Sequence, residues 1–126
     1  MKKDIESTDD IKKLVNIFYD KIRLNDLLGP VFNNVIKDKW PEHLEKMVRF
    51  WQTILLYENT YSGSPFPPHA QLPIHKIHFD TWVDLFNATV DDLFYGEKAN
   101  MAKSRAIILG ITFNSKIDKL HNTKSE

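Results

Sequence analysis

The stretch Ser64-Pro65-Phe66-Pro67-Pro68-His69-Ala70-Gln71-Leu72-Pro73 decides how this chain of 126 residues is interpreted. Proline fixes φ and lacks a backbone donor, so no helix can run from Pro65 through Pro68. His69 is therefore predicted to lie on a stiff, non-helical connector. Two aromatic-rich helical patterns flank the connector: His43, Met47, Phe50 and Ile54 upstream, and Phe79, Trp82 and Phe86 downstream. An imidazole that faces an aromatic-lined cleft between helices can hold the metal of a large flat cofactor.

Length and composition predict a single globular domain spanning residues 1–126. Hydrophobic residues make up 42% of the chain, enough for a real core. The 17 basic and 17 acidic residues cancel, which leaves no electrostatic case for binding nucleic acid or an anionic membrane. There is no cysteine, so disulfides and thiolate metal sites are excluded. No apolar run resembles a membrane span or a signal peptide, and a cytoplasmic location is the default expectation.

Apolar residues recur at helical spacing in the first half of the chain. Ser7 or Thr8 is predicted to cap a first helix that stops near Asn25, and a short apolar helix follows within residues 27–34. Pro41 suits the first turn of the next helix, which is predicted to be largely buried because its apolar arc is wide. The predicted inward positions are Ile11, Leu14, Val15, Phe18 and Ile22 in the first helix, with Tyr19 at their border, and Leu44, Met47, Val48, Trp51 and Leu55 in the later helix.

The second half of the chain predicts two more long helices. One opens at Pro73 and is closed by Gly96, and the last spans residues 97–120, beyond which the chain is expected to fray. The predicted inward positions are Ile77, His78, Trp82, Leu85, Phe86, Thr89 and Leu93, and then Ala102, Ala106, Leu109, Phe113, Ile117 and Leu120. No segment alternates convincingly with period two, so the predicted fold class is all-α.

Other kinds of site find weaker support in the sequence. His75 and His78 have a spacing that can chelate zinc, but no third ligand is evident nearby. Glu-x-x-His pairs and glycine-rich phosphate loops are absent, and a serine–histidine–acid triad has no nucleophile elbow to support it. The aromatic residues could also form a plain core. Tyr19 and Trp82 weigh against that interpretation, because a buried hydroxyl or indole N–H needs a partner.

A series of fragments along the chain resembles a known family. The fragments are Phe18-Tyr19, Leu28-Gly29-Pro30-Val31-Phe32-Asn33, Trp40-x-x-His43, Phe50-Trp51, Tyr61-x-Gly63-x-Pro65, His69, Leu72-Pro73 and His78-Phe79-x-x-Trp82-x-x-Leu85-Phe86. In this order they resemble the truncated haemoglobins, specifically the third subgroup, and the lack of a Gly-Gly pair fits that subgroup. The resemblance implies a truncated globin fold, a two-over-two helical sandwich packed around haem b (iron protoporphyrin IX).

The resemblance also implies roles for individual residues. His69 matches the proximal histidine that binds the haem iron. Tyr19 and Trp82 match distal residues that donate hydrogen bonds to a ligand, and His43 matches the distal histidine that gates the site, with a hypothesised second role as sixth ligand in the ferric state. Met47 stands where the family usually has a branched aliphatic residue. The haem-contacting apolar residues implied by the match are Phe18, Phe32, Phe50, Leu72, Phe79 and Phe86.

The implied function is reversible binding of oxygen and of other small diatomic ligands, carbon monoxide and nitric oxide. Two hydrogen bonds of about 0.5–1.5 kcal/mol each would hold oxygen too tightly for simple oxygen transport. Sensing, or redox chemistry of a peroxidase-like or nitric oxide dioxygenase-like kind, is favoured over transport alone, with an unidentified reductase as partner. The alternatives are a non-haem helical ligand-binding module and a protein-interaction bundle.

Overall fold

The computed structural model describes residues 2–56 and 75–124, with side chains described through residue 116. Every regular element in these residues is a helix, which confirms the all-α prediction. The helices are α1 (Thr8–Leu24), α2 (Leu28–Ile36), α3 (Trp40–Leu55), α4 (Lys76–Leu93) and α5 (Glu97–Lys124). In the described part of the chain, no helix is long and apolar enough to cross a membrane.

The first helix begins and packs as its sequence predicts. The Ser7 hydroxyl accepts a hydrogen bond from the Asp10 amide at 3.3 Å, and the Ser7 amide donates to the Asp10 carboxylate at 3.2 Å. This capping box satisfies donors that would otherwise be orphaned at the helix start. The predicted stripe is buried, together with Tyr19. Each large apolar side chain buried in this way contributes about 1.5–3 kcal/mol to folding.

A tight corner joins α1 to α2. The Asn25 side-chain oxygen accepts hydrogen bonds from the amides of Leu27 and Leu28, each at 2.9 Å, and so starts the short helix. At Gly29 an added Cβ would lie 2.7 Å from the backbone oxygen of Arg23. Only glycine therefore allows the start of α2 to approach the end of α1 this closely.

Helix α1 contacts α2, α3 and α4. The most extensive helix pair is α4 with α5. Residues 2–5, which we call the N-terminal strap, lie against the start of α5. The Asp4 carboxylate accepts the backbone amides of Lys98 at 2.9 Å and Ala99 at 2.8 Å, and Ile5 is fully buried in the core. The sequence analysis assigned no structure to this segment.

Two predicted helix boundaries and one predicted inward position were wrong. Helix α4 begins at Lys76 rather than at Pro73, because His75 is extended (φ −126°, ψ 176°) and caps the helix. Ile77 was predicted to point inward but is 58% exposed, because it lies in the first turn, before the face that packs. Helix α5 continues to Lys124, four residues beyond its predicted end at Leu120.

Helix α3 is also less buried than predicted. Of its predicted inward positions, Val48, Trp51 and Leu55 are buried. Met47 and Phe50, which belong to the apolar pattern that begins at His43, are only partly buried, although they pack against the core. Helix α3 therefore has an apolar face that the described residues cover only in part.

Candidate ligand-binding site

Aromatic rings from α1, α3 and α4 meet in one cluster, and Phe18 lies at its centre. The Phe18 ring contacts Tyr19, Phe86 and Trp82 edge to face, with centroid separations of 4.9, 5.1 and 5.5 Å. Phe86 in turn stacks on Trp51 at 4.8 Å and on Trp82 at 5.8 Å. Such pairs add about 0.5–1.5 kcal/mol each beyond the burial of their area. These ring contacts hold in place the two polar groups of the cluster, the Tyr19 hydroxyl and the His43 imidazole.

The Tyr19 hydroxyl is the first of these polar groups. Its ring is 4% exposed and lies 5.2 Å from the His43 imidazole and 6.2 Å from the Phe32 ring. Burial raises the pKa of Tyr19 above its ordinary value, and a hydrogen bond from the Trp82 indole offsets part of that rise. The phenol is therefore protonated at neutral pH. Its proton is therefore available for donation to another group.

The His43 imidazole is the second polar group, and its Nε2 is buried without a hydrogen-bond partner among the residues that the structure describes. Burial, with a smaller effect of the nearby Lys46 charge, lowers the pKa of His43 to about 4. The imidazole is therefore neutral at physiological pH. An unpaired buried polar atom costs about 1–3 kcal/mol, so this nitrogen marks a place where a ligand would be stabilised.

The described residues fit the haem that the sequence predicts. A flat macrocycle needs an apolar lining with a few polar groups on one side, and this cluster combines aromatic rings with the Tyr19 hydroxyl and the unpaired His43 nitrogen. Phe32, Met47, Phe50 and Trp82 pack against the core yet stay partly exposed, as expected for side chains that a cofactor would cover. The partly covered face of α3 is consistent with the same arrangement.

The structure brings most of the predicted site residues together, but not all of them. The joined residues are Phe18, Tyr19, Phe32, His43, Trp82 and Phe86, with Phe50 beside Trp51 at 5.2 Å. Met47 is half-buried one turn beyond His43. Phe79 is buried but lies against α5, where its ring is 6.5 Å from Phe113. His69 and Leu72 lie outside the described residues.

Trp40 is a site residue to which the sequence analysis gave no role. It is 6% exposed, and its ring lies 5.8 Å from His43 and 5.9 Å from Tyr19. Its indole nitrogen donates to the Asn33 side-chain oxygen at 3.1 Å, and the Arg23 guanidinium lies 4.7 Å above its ring. The contact between Trp40 and His43 could have been predicted from the sequence, because residues three apart in a helix share a face.

The pair His75 and His78 serves as a helix start. The His75 amide donates to Nδ1 of His78 at 3.0 Å, which satisfies one of the orphaned donors of α4. Within residues 2–56 and 75–116, no group of three histidine or acidic side chains could hold a metal ion.

Comparisons with known proteins give three concordant matches. The sequence profile of the bacterial-like globins matches residues 3–109. The group 3 truncated haemoglobin ctb of Campylobacter jejuni is 34% identical over 123 residues, which cover 94% of this chain and 97% of that protein. The crystal structure of a group III truncated haemoglobin from Campylobacter jejuni superposes with a TM-score of 0.82 at 34% identity, covering 93% of this chain and 95% of that one.

Proposed function

This chain belongs to the bacterial-like globins, as a truncated haemoglobin of the third group, and on that premise we propose that it binds haem b through His69 and holds small diatomic gases beneath Tyr19, His43 and Trp82. Haem supplies the iron atom to which a gas molecule binds. The sequence-based prediction of the family and of the truncated globin fold is confirmed. The residue roles rest on the match of motifs and on the geometry of the aromatic cluster.

One observation carries the distal half of the proposal. A neutral imidazole with an unpaired Nε2 lies beside a protonated phenol inside an otherwise aromatic cluster. Dioxygen is small and largely apolar, but it accepts hydrogen bonds when it carries partial negative charge. A pocket of this composition admits such a ligand and then stabilises it with a few donors.

The same donors favour retention over delivery. One neutral hydrogen bond is worth about 0.5–1.5 kcal/mol, or about a twofold to tenfold slower release. Tyr19 and Trp82, whose rings both contact Phe18, would each supply one such bond. We therefore propose sensing, or peroxidase-like or nitric oxide dioxygenase-like redox chemistry, in place of transport alone. Repeated redox turnover requires an electron donor, so a reductase is a proposed partner.

A visible absorption spectrum of the purified protein tests haem binding. A Soret band that shifts on reduction and again on addition of carbon monoxide is expected. A non-haem ligand-binding module or a protein-interaction bundle would show no such band. Absence of the band after reconstitution with haem would reject the proposed function.

The iron ligand is tested by replacing three histidines separately. His69→Ala is expected to abolish stable haem retention, because the match of motifs assigns the proximal bond to His69, with His75 and His78 as the runners-up. His75→Ala and His78→Ala are matched controls close in sequence and are expected to keep haem, since the pair caps α4. Haem loss confined to either control would refute the assignment of His69.

The distal role of His43 is tested by His43→Ala. Removing the imidazole is expected to accelerate carbon monoxide association in flash photolysis while haem content stays unchanged. Haem loss as complete as in His69→Ala would mean that the proximal and distal roles are exchanged or shared.

A further inference from the structure

Trp40 lies at the edge of the aromatic cluster and is held by two groups from other helices. Its indole N–H donates to the Asn33 side-chain oxygen at 3.1 Å, which ties the start of α3 to α2. The Arg23 guanidinium, at the end of α1, lies 4.7 Å over the ring. A cation in this position stabilises an aromatic ring by its attraction to the π face. The orientation of Trp40 is therefore fixed by two groups that belong to neither the cofactor nor the ligand.

The fixed ring faces the imidazole that we propose as the gate. The Trp40 and His43 rings are 5.8 Å apart at an interplanar angle of 89°, and Trp40 also contacts the Tyr19 ring at 5.9 Å. His43 is thereby enclosed between two aromatic rings, since its own contact with Tyr19 is 5.2 Å, also at 89°. An outward swing of the imidazole must break its edge contact with Trp40.

The two ring contacts explain how an unfavourable orientation of His43 persists. The inward imidazole leaves Nε2 without a partner, which by itself would favour rotation toward water. Contacts with Tyr19 and Trp40 oppose that rotation. If Trp40 were released by Asn33, its ring could move and the inward orientation would lose one of its two supports.

We propose that Trp40 is the positioning residue of the distal gate, which is the His43 imidazole. Held by Asn33 and Arg23, the Trp40 ring keeps this imidazole inward over the ligand site. The inference rests on the proposed function, and it adds a control point outside the ligand-contacting residues. Trp40 acts through His43 and sets how often the entrance is open. It is not expected to alter how long a bound ligand is retained, because Tyr19 performs that role.

The test uses the haem-loaded ferrous protein with four single variants. Trp40→Phe keeps an aromatic ring but removes the bond to Asn33. Asn33→Ala leaves Trp40 intact and removes its acceptor, so it remains informative if Trp40→Phe folds poorly. Asn34→Ala removes an exposed amide at the next position of α2 and is the matched control. His43→Ala removes the gate itself.

Carbon monoxide association after flash photolysis is the first measurement. Trp40→Phe and Asn33→Ala are expected to accelerate association about twofold to tenfold, the factor associated with one neutral hydrogen bond, while Asn34→Ala is unchanged. In a His43→Ala background, Trp40→Phe is expected to add nothing further. Equal acceleration in both backgrounds would overturn the inference, because Trp40 would then act by loosening the pocket. The inference would also be overturned if carbon monoxide associated no faster with one of these variants, Trp40→Phe or Asn33→Ala, than with the wild type.

A structural measurement on the diamagnetic carbon monoxide complex completes the test. A nuclear Overhauser effect between the His43 and Tyr19 rings is expected in the wild type, whose ring centroids are 5.2 Å apart, and it should weaken in Trp40→Phe. Its full retention would overturn the positioning role. Failure of the proposed function gives a different result, since the wild type would then show no Soret band and no light-sensitive carbon monoxide complex.

Discussion

Tyr19→Phe removes the hydroxyl that Tyr19 brings to the aromatic cluster and leaves its ring contacts in place. The phenol is protonated because burial raises its pKa. Its proton is thus available to a bound diatomic ligand. We expect oxygen to dissociate faster from Tyr19→Phe than from the wild type.

The magnitude follows from the bonds lost and regained. Loss of one neutral hydrogen bond of about 0.5–1.5 kcal/mol accelerates release about twofold to tenfold. The Trp82 N–H can still donate to the ligand in this variant, so tenfold is an upper bound. Trp82→Phe should have a smaller effect, because the Tyr19 hydroxyl keeps its proton. The two effects need not add, since the donors share one ligand.

Stopped-flow measurement of oxygen and carbon monoxide dissociation decides the matter. Carbon monoxide is a poorer acceptor and should respond much less. Tyr95→Phe, which removes a hydroxyl from a side chain that is 79% exposed, is the matched control and should change neither rate. The oxygen rate should also be constant from about pH 6 to about pH 9, because the Tyr19 phenol stays protonated there. The reasoning is refuted if oxygen leaves no faster from Tyr19→Phe, or if both gases accelerate equally.

Three stability predictions follow from backbone geometry, each checked by urea denaturation. Asp4→Ala should lower the free energy of unfolding by about 0.5–2 kcal/mol, because it removes the cap of α5. Desolvation raises the pKa of Asp4, but backbone hydrogen bonds outweigh it and lower the pKa below 3.8, so the stabilisation is present above pH 3.8 and is lost as the pH falls below it. A variant whose stability has the same pH profile as the wild type would contradict this. Lys37→Gly should gain about 1 kcal/mol, because φ is +54° at this residue, and a loss of stability would argue against strain. Gly29→Ala should lose about 1–3 kcal/mol because the added Cβ meets backbone 2.7 Å away, and a neutral result would show that the corner relaxes.

Local chemistry made much of the fold predictable. The capping box at Ser7 and the apolar stripe of α1 are encoded within a few residues of each other, so the sequence predicts both. The exposure of Ile77 could not be predicted from periodicity, because its position in the first turn decides whether a neighbour covers it. The cap that Asp4 provides to α5 joins residues more than 90 positions apart, which no local pattern records.

The candidate site divides in a similar way. Tyr19, His43 and Trp82 were predicted from spaced motifs, and the structure brings them together around Phe18. The role of Trp40 depends on Asn33 and Arg23, whose contacts arise only when α1, α2 and α3 meet.

The N-terminal strap constrains the order in which the chain can fold during synthesis. Asp4 and Ile5 leave the ribosome more than 90 residues ahead of Lys98 and Ala99, whose amides Asp4 binds. At about 5–20 residues per second, translation needs about 5 to 20 s to reach them. Throughout that interval the strap has no docking surface, and the apolar side chain of Ile5 is open to chaperones and proteases. Closure of the strap is thus a late step that reports that α4 and α5 have been made.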